Sequence, residues 1–149
     1  MKDPKRPQEY DNRSIAGRWR PAAFYSEDQA SGERRQPFGE SPTGSLVITE
    51  DGYVMVILTA ADRQPASTAA ERDKAFRSVY AYSGKYTFDG KSFVTEVDAS
   101  SLVEWIGARQ ERAFKFLGPD RIQFVSKWSP NPHDPSRVSR GIMEFERVA

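Results

Sequence analysis

Arg112 precedes Phe114 and Phe116 by two and four residues, in a segment whose side chains alternate in character. A strand there turns the guanidinium to the same face as the two rings, and Gln110 with it. A cation so placed must snorkel to one end of the sheet, pair with a carboxylate, or await an anionic or carbonyl-bearing ligand. By the same period of two, Ile122 and Phe124 carry Ser126 and Trp128 inward, while Tyr80 and Tyr82 share a face with Tyr86 and Phe88. Rings and hydroxyls in that arrangement suit a planar or apolar ligand, with plain core packing as the competing explanation. His133, the single histidine, lies in the proline-rich "SPNPHDPSR". It is either a proton carrier or an ordinary loop residue.

Other chemistries fall away. The chain has no cysteine, which removes disulfides, thiolate catalysis and cysteine-bound zinc, and one histidine cannot build a histidine-rich metal centre. Neither a metal nor a cofactor is therefore expected. Gly90-Lys91-Ser92 ends like a phosphate-binding loop, but the spacing back to Gly84 is one residue too long and the segment enters a strand, not a helix. Glu96 and Asp98 share the polar face of their strand and read as solvated exterior. Asn12-Arg13-Ser14 matches a glycosylation sequon, which has no meaning without secretion.

These residues need a scaffold, and 149 residues suffice for one domain with a real core. Short β-forming runs separated by turn signals point to an all-β protein. Eight strands are expected near 17–25, 43–50, 53–59, 78–88, 91–99, 109–117, 121–128 and 138–147. Asp51-Gly52, Asp89-Gly90 and Gly118-Pro119-Asp120 read as tight hairpins, the Asp-Gly pairs as two-residue type I′ turns. The remaining connections, 26–42, 60–77, 100–108 and 129–137, are long, and in an antiparallel meander they all fall at one end. A short capped helix is expected over 67–77, beside that end.

The Asp89-Gly90 hairpin sets a register in which Tyr86 faces Phe93, Gly84 faces Thr95, Tyr82 faces Val97 and Tyr80 faces Ala99, all on the inner side. Ser83, Lys85 and Thr87 then face solvent. Strand 53–59 is apolar on both faces and has no evident orientation.

Gly17-x-Trp19 opens the first strand, and Arg147 ends the last in the inward phase of Met143 and Phe145. If those strands meet, Trp19 plugs the closed end with Gly17 allowing close approach, and Arg147 stacks on the indole. The sheet then closes into an eight-stranded antiparallel up-and-down barrel with one short helix near its mouth. Residues 1–13 form a polar arm and 14–149 the barrel domain.

From Ile15 to Val148 the chain resembles the lipocalin-like domain family of the calycin group. The resemblance is carried by "IAGRWR", "PFGESPTGSLVITEDGYVMV" (Pro37–Val56), "AYSGKY" (Ala81–Tyr86), "VEWIG" (Val103–Gly107) and "MEFERV" (Met143–Val148). It implies an antiparallel barrel with a ligand cavity. Where relatives often carry histidine, in the strand before the Trp-x-Gly segment, this chain has Thr95-Glu96, so no histidine chemistry carries over.

The expectation is a barrel that binds an apolar or aromatic small molecule through its mouth. Tyr80, Tyr82, Phe114 and Trp128 would form the wall, Arg112 and Ser126 the polar anchors, and Trp105 the rim. The alternative is a cofactor-free cyclase, isomerase or lyase on the same barrel, with Arg112 stabilising an enolate and Tyr80, Tyr82 or His133 moving a proton. A nucleic-acid module is disfavoured: 22 basic against 21 acidic residues leave a net charge of +1, and "KDPKRP" is a lone basic run. No stretch approaches the ~18 apolar residues of a membrane helix, so a soluble, cytoplasmic protein is expected. Oligomeric state is open, a homodimer included.

Overall fold

In a computed structural model of the chain, described over residues 11–148, the sequence folds as a closed antiparallel β-barrel. Most of the expected polar arm, residues 1–10, lies outside the described residues. The elements run β1 (Gly17–Asp28), β2 (Arg34–Arg35), β3 (Thr43–Ile48), β4 (Tyr53–Thr59), α1 (Ala69–Phe76), β5 (Val79–Phe88), β6 (Ser92–Ser100), β7 (Arg109–Gly118), β8 (Arg121–Ser126), β9 (Ser129–Asn131) and β10 (Asp134–Arg147). Eight of them close the ring in the order β1-β3-β4-β5-β6-β7-β8-β10, and β10 returns to pair with β1. The short strands β2 and β9 flank this seam at the mouth, so segments that read as loops in sequence partly carry strand.

The seam is long because β1 runs on to Asp28 and β10 starts at Asp134, so the ladder extends from Trp19 opposite Arg147 to Asp28 opposite Ser139. A register shift between Pro21 and Ala23 accommodates Pro21, which has no NH to donate to a ladder. At the mouth α1 is started by a capping box, with the Thr68 hydroxyl accepting from the Glu71 NH and the Glu71 carboxylate accepting from the Thr68 NH. No side chain of α1 is buried, so it covers the mouth region without joining the core.

Three local expectations are corrected. Between β5 and β6 the chain turns over Gly90-Lys91, one position later than the Asp-Gly pair, because the Asp89 carboxylate accepts from the NH groups of Lys91 and Ser92. Phe88 therefore faces Phe93, Tyr86 faces Thr95 and Gly84 faces Val97; the even displacement keeps every one of these residues on its expected face. Beyond Gly84 an extra residue, Asp98, bulges from β6, so Ala99 faces Ser83 on the exterior and Tyr82 faces Ser100. The Asp51-Gly52 link is a three-residue loop, closed by the Thr49 NH donating to the Tyr53 carbonyl, with Gly52 at φ +100°.

Pairing also orients β4. Val54, Val56 and Leu58 enter the core, whereas Met55 and Ile57 are exposed on the outer wall. The closed half of the barrel is filled by Tyr86, Phe93, Phe114, Phe124 and Phe145 in edge-on and stacked contacts, with centroid separations of 4.7 Å for Tyr86–Phe93 and 5.2 Å for Phe93–Phe124. Below them Trp19 is 0% exposed and donates its indole NH to the Ile15 carbonyl at 2.9 Å. The Arg147 guanidinium lies 4.2 Å from the Trp19 ring centroid and donates to the carbonyls of Ala16 and Ser14. That end is shut. Among the described residues no helix is long and apolar enough to cross a membrane.

Candidate functional site

Above the aromatic layer the barrel is hollow, with a cavity of about 670 Å³ opening among the long loops. That is the size of an ordinary small-molecule site. Its walls come from Phe24 and Ser26 on β1, Tyr80 on β5, Gln110 and Arg112 on β7, Ser126 on β8, and Met143 on β10. The rim comes from loops: Trp105 from the turn after β6, His133 from the β9–β10 turn, and Arg77 from the C-terminus of α1.

Arg112 occupies the inward position of β7 directly above Phe114, opposite Phe93 on β6 and Ser126 on β8. Alternation along β7 forces it inside, and only 8% of it is exposed. Its Nη1 donates to the Tyr82 hydroxyl at 2.7 Å and to Gln110 Oε1 at 2.8 Å, both neutral acceptors. Its Nε is buried with no hydrogen-bond partner. The carboxylates around the cavity are engaged elsewhere: Asp28 with Arg137, Glu33 with Arg35, and Glu111 with Lys127, while Asp134 accepts the Ser136 hydroxyl.

One wall is a run of rings. Tyr82 meets Trp105 edge-on at 5.8 Å, Trp105 lies 5.5 Å from Tyr80, and Tyr80 stacks on His133 at 5.6 Å with an interplanar angle of 2°. Phe24 and Phe38 back Tyr80 from the core side at 5.9 and 5.2 Å. Burial pushes the Tyr80 phenol up to about 12, so it stays protonated and can donate but not abstract a proton at neutral pH. His133 is shifted the other way: burial, then the charge of Arg77, lower its pKa against the opposing pull of Asp73 and Glu104. Its Nε2 is buried without a partner. The imidazole is therefore neutral at pH 7, with an uncommitted ring nitrogen.

A model of the lipocalin-like domain matches residues 16–148. The chain belongs to the lipocalin-like domain family. No curated protein is significantly similar to this lipocalin-like chain in sequence. Among solved structures it is similar to a barrel described as EF1p2_mFAP2b bound to DFHBI, with 8% identity and a TM-score of 0.50 over 95% of this chain and 100% of the other. A redesigned β-barrel, b11L5F_LGL, aligns at 9% identity over 94% and 96% of the two chains with a TM-score of 0.47. At such identities the likeness concerns the fold.

Within this lipocalin-like barrel the residues singled out from sequence do not all meet. Tyr80, Trp105, Arg112, Ser126 and His133 line the cavity, and Tyr82 stands directly behind Arg112 and Trp105. Phe114 lies deeper, with its ring against Phe88 and Phe116 at 4.8 and 5.0 Å, and supports the floor instead of the wall. Trp128 is outside: β8 ends at Ser126, the alternation lapses through Lys127, and the indole is 37% exposed beneath Arg140 at 4.4 Å. The Ser126 hydroxyl already accepts the Gly141 NH at 2.8 Å and so serves the barrel wall as well as the cavity. Sequence reading missed Phe24 and the charged rim of Asp28, Arg35 and Arg137, whose segments look like loop because both faces of those short extensions are polar. Among the described residues no group of three His, Cys, Asp or Glu side chains could hold a metal ion.

Proposed function

We propose that this lipocalin-like domain binds a small organic molecule with a planar aromatic part, inserted through the mouth. The observation that carries the reading is the run Trp105–Tyr80–His133 along one wall of a cavity of about 670 Å³, with Tyr82 packed behind Trp105. Rings already held against one another by the barrel lose little freedom when a further ring is added. The fold neighbour bound to DFHBI supports small-molecule occupancy of such a barrel as a general capability.

Calorimetric titration with planar aromatic compounds and, in parallel, medium-chain fatty acids tests this. Saturable heat with the aromatics is expected, and a Tyr80→Ala variant should weaken binding about tenfold. No heat from any aromatic compound would sink the reading.

A second reading, a cofactor-free isomerase, cyclase or lyase, draws on His133 as a neutral base beside the same wall. With Tyr80 held protonated, His133 is the better proton acceptor. Turnover that survives His133→Ala unchanged would remove that role.

A further inference from the structure

The guanidinium of Arg112 is planar and permanently charged, and its Nε–H and one Nη2–H point the same way as a two-pronged fork. Nη1 is spent on Tyr82 and Gln110. Among the described residues Nε is buried without a partner and the only side-chain hydrogen bonds of Arg112 are those of Nη1, which leaves Nη2 open as well; the side chain lines the cavity at 8% exposure. Burying a cation without a counter-charge is costly, and arginine cannot escape the cost by losing its proton. Of the carboxylates lining the cavity, Asp28, Glu33 and Glu111 pair with Arg137, Arg35 and Lys127, and the exposed Asp134 accepts the Ser136 hydroxyl, so none of them pairs with Arg112.

From this edge we propose that the ligand is a planar aromatic acid, its carboxylate seated on the Nε/Nη2 fork of Arg112 and its ring lying along the wall toward His133. The unmatched buried charge is a single positive one, which calls for a monoanion, and the flat fork matches two coplanar oxygens. Tyr82 and Gln110 act as positioning residues: by holding Nη1 from one side they fix the plane of the fork and turn its open edge to the ligand. The aromatic wall begins where the anchor ends, since the Tyr82 ring lies 5.3 Å from the Arg112 guanidinium carbon and next to Trp105.

This rests on the binding reading above, and its test separates the two. The probes are 2-naphthoate and 2-naphthamide, equal in shape and different in charge, with decanoate as a non-aromatic acid. The wild-type chain should bind naphthoate at least about tenfold tighter than naphthamide, as expected of hydrogen bonds to a charged group. In Arg112→Met that preference should vanish. Gln110→Glu, which places a carboxylate on Nη1 without altering the size of the side chain, should also reduce the preference about tenfold. It decides the matter alone if Arg112→Met does not fold.

Equal binding of acid and amide by the wild type, or a preference that persists in the variants, overturns the anion anchor while leaving aromatic binding intact. Decanoate binding as tightly as naphthoate overturns the aromatic part. Failure of both naphthalene probes with the wild type removes the binding reading and this inference together.

Discussion

The barrel sets an arginine against an aromatic ring at each end, Arg112 buried and Arg147 half-buried, and the two are finished differently. At the closed end Arg147 lies over Trp19, with Nη1 and Nη2 on the carbonyls of Ala16 and Ser14 and Nε 3.4 Å from an Asp120 carboxylate oxygen. Each nitrogen has a task within the fold. At the mouth Arg112 gives one nitrogen to neutral acceptors and keeps the rest uncommitted. Both side chains are placed by the same rule, the inward phase of a strand, so position alone does not tell the two apart. What separates them is how completely the protein satisfies the group.

That contrast can be broken, most severely at the closed end. Trp19→Ala should cost about 3–5 kcal/mol of stability in urea unfolding, because a fully buried ring is removed beneath a packed aromatic layer. Arg147→Met should cost about 1–3 kcal/mol by the same measurement, since it strands two carbonyls that the guanidinium now satisfies. Arg112→Met should go the other way in the ligand-free protein, leaving stability unchanged or raising it by up to about 2 kcal/mol, because an uncompensated buried charge is replaced by an apolar chain. A loss there as large as that of Arg147→Met would show that the two arginines are alike after all.

The smallest effect concerns pH. The unfolded chain has His133 near its ordinary pKa of about 6.5, whereas burial lowers it in the folded protein. Above that pH both states are neutral and nothing changes. As the pH falls below it the unfolded state takes up the proton first, so stability should decline until the folded pKa is passed and then level off. His133→Asn should remove this component from a series of thermal melts, and an identical pH profile in both proteins would contradict it.

Much of the architecture was legible because it depends on counting. Alternating short and long links placed the open end, and the period of two put Arg112 beside Phe114 and Arg147 at the same end as Trp19. Details that depend on one side chain capturing backbone groups were not legible. Asp89 moves its own turn by holding two NH groups, and Asp98 adds a bulge that turns Ala99 outward. Trp128 shows the limit of extrapolating a phase: two residues past the last paired position, nothing keeps an indole on the inner side. Strand β4 could not be oriented because its outer face carries Met55 and Ile57, and only pairing with β3 and β5 tells its two apolar faces apart.

The three tryptophans stand in three different surroundings: Trp19 sealed below the aromatic layer, Trp128 on the outer wall under Arg140, and Trp105 at the rim of the cavity. Optically the molecule is thus divided into zones, each with its own emitter. A chromophore entering the mouth comes into van der Waals contact with Trp105 alone, so contact quenching reports occupancy. Trp19 emission reports barrel integrity, and light from Trp128 supplies a constant background against which both can be read.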